Sequence, residues 1–258
     1  MRRLAVVAAA LVGVAFPAQA SAQFAGPFFP PSQEDYGPGI TVAGVGFAPL
    51  GARDRTTARA MGDARRRAEA IADALGVALG DVRAAEVSTP FEPRPECGDR
   101  RTRRCAPLDA VSVEATFAIV GGATDAEGAR EFEGTGVGIA PNEPARRTSP
   151  AIRRSLRASR LAATPGAAET ARANARSAAS ASGVPLGQLF SVVERNFYGY
   201  EPLLGAFGPG QFCGIVRRTI FRPDPETGRI RPVRRIKKRR CFSPRTTVVR
   251  LEATYLGG

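Results

Sequence analysis

Three short strings recur in fixed order along the chain, and they restrict the fold more than composition does. GVGFAP at 44–49 returns as GVGIAP at 136–141, GVALG at 76–80 as GVPLG at 183–187, and VEATF at 113–117 as LEATY at 251–255. The offsets grow from 92 to 107 to 138 residues, so the second copy carries two insertions, of 15 and 31 residues. A unit repeated in this way folds as the same supersecondary element twice.

Each unit reads strand, helix, strand, strand. In the first, Ala60, Met61, Ala64, Ala68, Ile71, Ala72 and Leu75 fall on one helical stripe, the spacing of a helix with one buried face. Arg59, Asp63, Arg66, Arg67 and Asp73 fall largely off that stripe. Gly76 stands where a helix stop favours a left-handed residue. The second unit sets Ala167, Ala168, Ala171, Ala175, Ala178 and Ala179 on the matching stripe and Gly183 at the stop. The closing strands alternate. Val111, Val113, Ala115, Phe117 and Ile119 face one way, as do Val249, Leu251, Ala253 and Tyr255 in the second unit, the pattern of half-buried antiparallel strands. The expected fold class is α+β: two βαββ-type repeats whose antiparallel sheet packs against alanine-rich helices.

The segments divide accordingly. Residues 1–22 read as a cleaved signal peptide: a cationic MRR, a thirteen-residue apolar run at 4–16, Pro17, then Ala-x-Ala sites. Residues 23–39 mix proline, glycine and aromatics without period and read as a flexible arm. Repeat 1 covers 40–122, a linker 123–131, and repeat 2 132–258. The first insertion, 149–163, is expected as an added helix, started by Ser149 and Pro150 and stopped at Thr164-Pro165-Gly166. Its Arg153, Arg154, Arg157 and Arg160 are expected on a solvated face. The second insertion builds a long basic hairpin over 211–243. No later run is long and apolar enough for a spanning helix, so the mature chain is expected in the periplasm, the cell envelope or outside the cell.

That location makes disulfides the natural state of the four cysteines. Cys97 and Cys105 flank GDRRTRR. DPETG at 224–228 is a turn signal, and folding back around it sets Cys213 opposite Cys241 and Phe212 opposite Phe242. Cys97–Cys105 and Cys213–Cys241 are therefore the expected bridges, each closing its own hairpin.

Chemistry is restricted by what the sequence omits. Without histidine there is no histidine general base, no Ser-His-Asp triad and no histidine metal ligand. GVGFAPLG has Pro49 where a dinucleotide fingerprint needs its third glycine, so its glycines relieve crowding or mark a bulge. Glu114 and Glu252 recur at equivalent outward positions and form a catalytic pair only if the copies face each other. No catalytic residue, metal ligand or cofactor is assigned, and the chain is expected not to be an enzyme. The unusual feature is RIRPVRRIKKRR at 229–240. Its eight charges, Arg229, Arg231, Arg234, Arg235, Lys237, Lys238, Arg239 and Arg240, form either an edge guard or a docking surface for an anionic polymer or envelope surface.

Residues 58–82, ARAMGDARRRAEAIADALGVALGDV, closely resemble the helix and following strand of SIMPL (DUF541) domains, with Leu75, Gly76, Val77, Leu79, Gly80 and Val82 supplying the helix-ending motif. Residues 171–195 resemble the same segment more weakly. They keep Gly183, Val184, Leu186 and Gly187, but carry Ser182 and Leu189 where the motif has leucine and valine. The resemblance implies an exported bacterial envelope protein with an α+β fold, a link to oxidative or envelope stress and a possible homo-oligomer. It transfers no catalytic residue.

Overall fold

A computed structural model describes residues 37–88, 94–97, 105–123, 126–142, 148–195 and 212–258. The expected signal peptide and all but the end of the arm lie outside these residues. The elements run β1 (Gly39–Pro49), α1 (Arg53–Leu75), β2 (Ala78–Ser88), β3 (Arg94–Cys97), β4 (Cys105–Val120), β5 (Glu131–Pro141), α2 (Ser149–Ala181), β6 (Leu186–Glu194), β7 (Cys213–Pro223), β8 (Ile230–Cys241) and β9 (Thr246–Gly257). Seven strands form one sheet in the order β2-β4-β1-β6-β9-β5, with β3 on the start of β4; β7 and β8 form a separate two-stranded sheet. The fold is α+β.

The sheet is mixed rather than antiparallel throughout. β1 and β6 run parallel and meet over three pairs only, Gly39, Ile40 and Thr41 against Ser191, Val192 and Val193. All other pairings are antiparallel. The parallel join arises because β2-β4-β1 and β6-β9-β5 sit side by side in the same sense, so the first strand of one and the second strand of the other, of like direction, become neighbours.

Registers on the two sides of this join correspond. Gly44 lies opposite Val113 and Gly136 opposite Leu251, which is the spacing of the sequence offsets. Pairing of β2 slips between Leu79 and Val82 and again between Val82 and Ala84. Pairing of β6 slips between Leu186 and Leu189 and again between Leu189 and Ser191. Each slip is a bulge that bends its strand.

The glycines explain how closely the helices sit. A Cβ on Gly44 or Gly46 would collide with the α1 backbone at Ala60 and Thr56, and a Cβ on Gly134, Gly136 or Gly138 with the α2 backbone at Ala171, Ala167 and Ala163. Alanine on the helix and glycine on the strand bring backbone against backbone. Val111, Val113, Ala115 and Phe117 of β4, and Val249, Leu251, Ala253 and Tyr255 of β9, complete the core. α1 ends as expected, at Gly76 with φ 72°.

α2 does not end where the sequence suggests. It runs unbroken from Ser149 to Ala181 with Pro165 inside it, so 149–163 is its first part and not a separate helix. Proline removes the N–H that would reach Leu161 and costs roughly 3 kcal/mol in a helix interior. Burial of Ala163, Ala167, Ala171 and Ala175 along one line over β5 offsets that cost. Thr164, expected at the stop, is buried within the helix and donates its hydroxyl to Arg160 O at 2.9 Å.

Candidate functional site

The basic hairpin is built from its foot outward. Cys213 and Cys241 face each other with Cα atoms 4.1 Å apart and are joined by a disulfide, and the next pair outside is bonded from Phe242 N to Phe212 O at 2.8 Å. The foot is tied to the main domain by Ser149, buried at the start of α2. Its Oγ accepts from Phe212 N at 3.2 Å and Cys213 N at 2.9 Å. At the far end Asp224 orders the turn, its Oδ1 accepting from Glu226 N at 2.9 Å while Arg231 pairs with its other oxygen at 3.0 Å.

Register sorts the charges. Alternation along β7, carried across the pairing, puts Arg218, Arg222, Arg231, Arg234, Lys238 and Arg240 on one face. Arg235, Lys237 and Arg239 lie on the other, with Ile215, Phe221 and Ile230. Arg222 stands directly opposite Arg231. Opposed like charges destabilise a strand pair, so the disulfide and turn hold a hairpin that charge alone would open. Arg229 lies in the turn beside β8.

A second charged cluster, which the sequence pattern did not reveal, fills the wedge where β1 and β6 part. Beyond Thr41, β1 pairs with no strand on that side among the described residues. Its edge groups are met by α1: Arg67 donates to Ala43 O, Val45 N donates to Asp63 Oδ2 at 3.4 Å, and Arg59 donates to Phe47 O at 2.6 Å. Arg67 pairs with Asp63 at 3.1 Å and with Glu194, the last residue of β6, at 3.6 Å. From α2, Arg160 reaches Glu194 at 2.7 Å and Arg157 reaches Asp63 at 3.0 Å. Burial, with the nearby Arg160, pulls the Arg67 guanidinium down to about 10; Glu194 and Asp63 oppose the shift. It stays charged at neutral pH. The cluster locks α1, α2, β1 and β6 together.

These contacts correct one reading. Asp63 and Arg67, off the alanine stripe, are nonetheless buried. The arginines of the first part of α2 are not a common solvated face: Arg160 is buried against Glu194, Arg157 engages Asp63, and Arg153 lies 4.4 Å over the Phe47 ring. The available signal was Asp63 and Arg67 one turn apart beside an alanine stripe.

Elsewhere, β3 and β4 register Cys97 opposite Cys105; the expected bridge between their side chains lies outside the described residues. Glu114 and Glu252 are separated by β1 and β6, so they form no pair, and Glu252 binds Arg195 at 2.7 Å. Among the described residues no cluster of three metal-ligating side chains occurs, and no helix is long and apolar enough to cross a membrane.

A mixed sheet carrying two helices on a glycine-alanine interface, with a disulfide-closed basic hairpin beside it, defines an α+β protein. Residues 37–118, about a third of the chain, match the SIMPL family, described as a protein of unknown function (DUF541). The match runs from the start of β1 nearly to the end of β4 and contains the segment 58–82. No curated protein and no solved structure matches the chain.

Proposed function

We propose that this is a non-enzymatic, exported envelope protein with a structural or assembly role, formed by duplication of one βαββ unit and linked to oxidative or envelope stress. The observation that carries the assembly reading is the parallel join of β1 to β6. If β5 is the counterpart of β1, and β6 that of β2, the chain joins two copies head to tail. That leaves a β2 edge at one end and a β5 edge at the other, the same two kinds of edge that meet internally. A second molecule can repeat the join. The internal join sets Thr41 beside Val193; the same offsets bring Glu133 and Glu86 together in the outer one. Like charges there weaken association, so Glu133→Thr strengthens it. Light scattering on the mature protein tests this. A mass above the monomer that rises in the variant supports it, and a strict monomer at high concentration for both proteins removes it.

A second reading is favoured by the hairpin: a module that binds a polyanion or anionic surface through Arg229, Arg231, Arg234, Arg235, Lys237, Lys238, Arg239 and Arg240. Six cations on one face of a sheet separate from the main one support it. Retention on heparin should fall with salt and with neutralisation of these residues; retention indifferent to both rejects it.

A further inference from the structure

We propose that the hairpin face bearing Phe221 and Ile230 seats on an anionic lipid bilayer, its apolar side chains entering the headgroup region and its cations holding the phosphates. This rests on the anionic-surface reading and names the surface.

The argument begins with exposure. Ile230 is 73% exposed, Phe221 58% and Ile215 50%, all on one face by register. Pro223 and Pro232 are paired beside them, Pro223 with Ile230 and Pro232 with Phe221. A soluble polyanion makes no use of such residues, and keeping them in water is unfavourable. Arg235, Lys237 and Arg239 share the face, and neither strand contains an acidic residue. Apolar groups beside long cationic side chains suit a membrane interface, where the stems lie along apolar surface and the charged ends reach phosphate. Each basic residue near an anionic leaflet adds attraction that decays within a Debye length. The turn fits the same pose, because Asp224 is neutralised by Arg231. Strands of 11 and 12 residues reach roughly 35 Å, enough to lie across several headgroups.

The test uses the mature, disulfide-intact chain in co-sedimentation with vesicles of phosphatidylcholine, alone or mixed with phosphatidylglycerol. The mixed vesicles should bind at least tenfold more tightly. Phe221→Ser with Ile230→Ser should lower that binding about tenfold while leaving heparin retention unchanged. Both positions are exposed, so the fold should be kept, and circular dichroism checks it. Heparin binding without vesicle binding would overturn the bilayer assignment and leave the polyanion reading standing. Loss of both would remove both. Vesicle binding indifferent to the two serines would overturn the apolar seat.

Discussion

The hydroxyl oxygen of Ser149 accepts a hydrogen bond from the backbone N–H of Cys213 at 2.9 Å, and both residues are buried. One oxygen thus couples the start of α2 to the foot of the basic hairpin, since it also accepts from Phe212 N. Ser149→Ala leaves two backbone donors without this acceptor. A buried donor that loses its partner costs about 1–3 kcal/mol. The variant should lower the urea midpoint and speed amide exchange at Phe212 and Cys213. Unchanged exchange there would mean that the hairpin is held by other means.

The Cys213–Cys241 bridge closes a separation of 28 residues, for which chain entropy gives about 3.6 kcal/mol. Removing it with paired Cys→Ala changes should loosen the hairpin before the main sheet, because opposed Arg222 and Arg231 repel. Added salt screens that repulsion and should restore part of the protection. Proteolysis between 213 and 241, at low and high salt, checks both parts.

The glycine-alanine interface supplies a paired test. Gly136→Ala puts a Cβ against the backbone of Ala167 and Ala171, which cannot retreat without moving α2. Overpacking of this kind costs about 1–3 kcal/mol, occasionally more. Gly62→Ala, inside α1, meets only the end of the Arg66 side chain at 3.5 Å and should stabilise by about 0.5–1 kcal/mol. Denaturation midpoints should move in opposite directions.

Which features the sequence carried follows from where each signal resides. Alternation in β4 and β9, the stop at Gly76 and the Cys213–Cys241 register depend on neighbours along the chain or on one turn, so local pattern sufficed. Continuity of α2 through Pro165 depends on glycines in β5 that hold the helix from outside, which proline chemistry cannot reveal. The Asp63–Arg67–Glu194 cluster joins residues more than a hundred positions apart across a parallel seam. A charge off the alanine stripe reads as solvated until β6 and α2 are known to cover it. The hairpin's two faces were hidden because the bulge between Ile220 and Phe221 shifts the alternation of β8.

Arg67 makes that buried cluster falsifiable. Arg67→Met leaves Asp63 and Glu194 without their shared partner, and breaking a buried pair from one side costs about 3–5 kcal/mol. Adding Glu194→Gln should return part of the loss, with coupling of about 0.5–3 kcal/mol. A double variant no better than the sum of the singles, measured by urea denaturation, would show that Arg67 and Glu194 act independently.

Tyr255 gives a pH dependence with a definite sign. Burial raises its phenol above the ordinary value of 10, and Arg172 and Arg176 oppose the shift without cancelling it. The folded chain therefore keeps its proton at pH values where the unfolded chain has lost it. The unfolded state then binds fewer protons, so stability falls as pH rises. The contribution is fully present below pH 10 and is lost between 10 and the raised folded value. Arg67 has the opposite slope above about 10, because its folded value is lowered. Comparison with Tyr255→Phe cancels the Arg67 contribution, since both proteins carry it. The stability difference between the native chain and Tyr255→Phe should stay flat from pH 7 to 9. It should then shift against the native chain above pH 10, read as the urea midpoint at each pH. A difference that stays flat to pH 11 would place the phenol in water in the folded state.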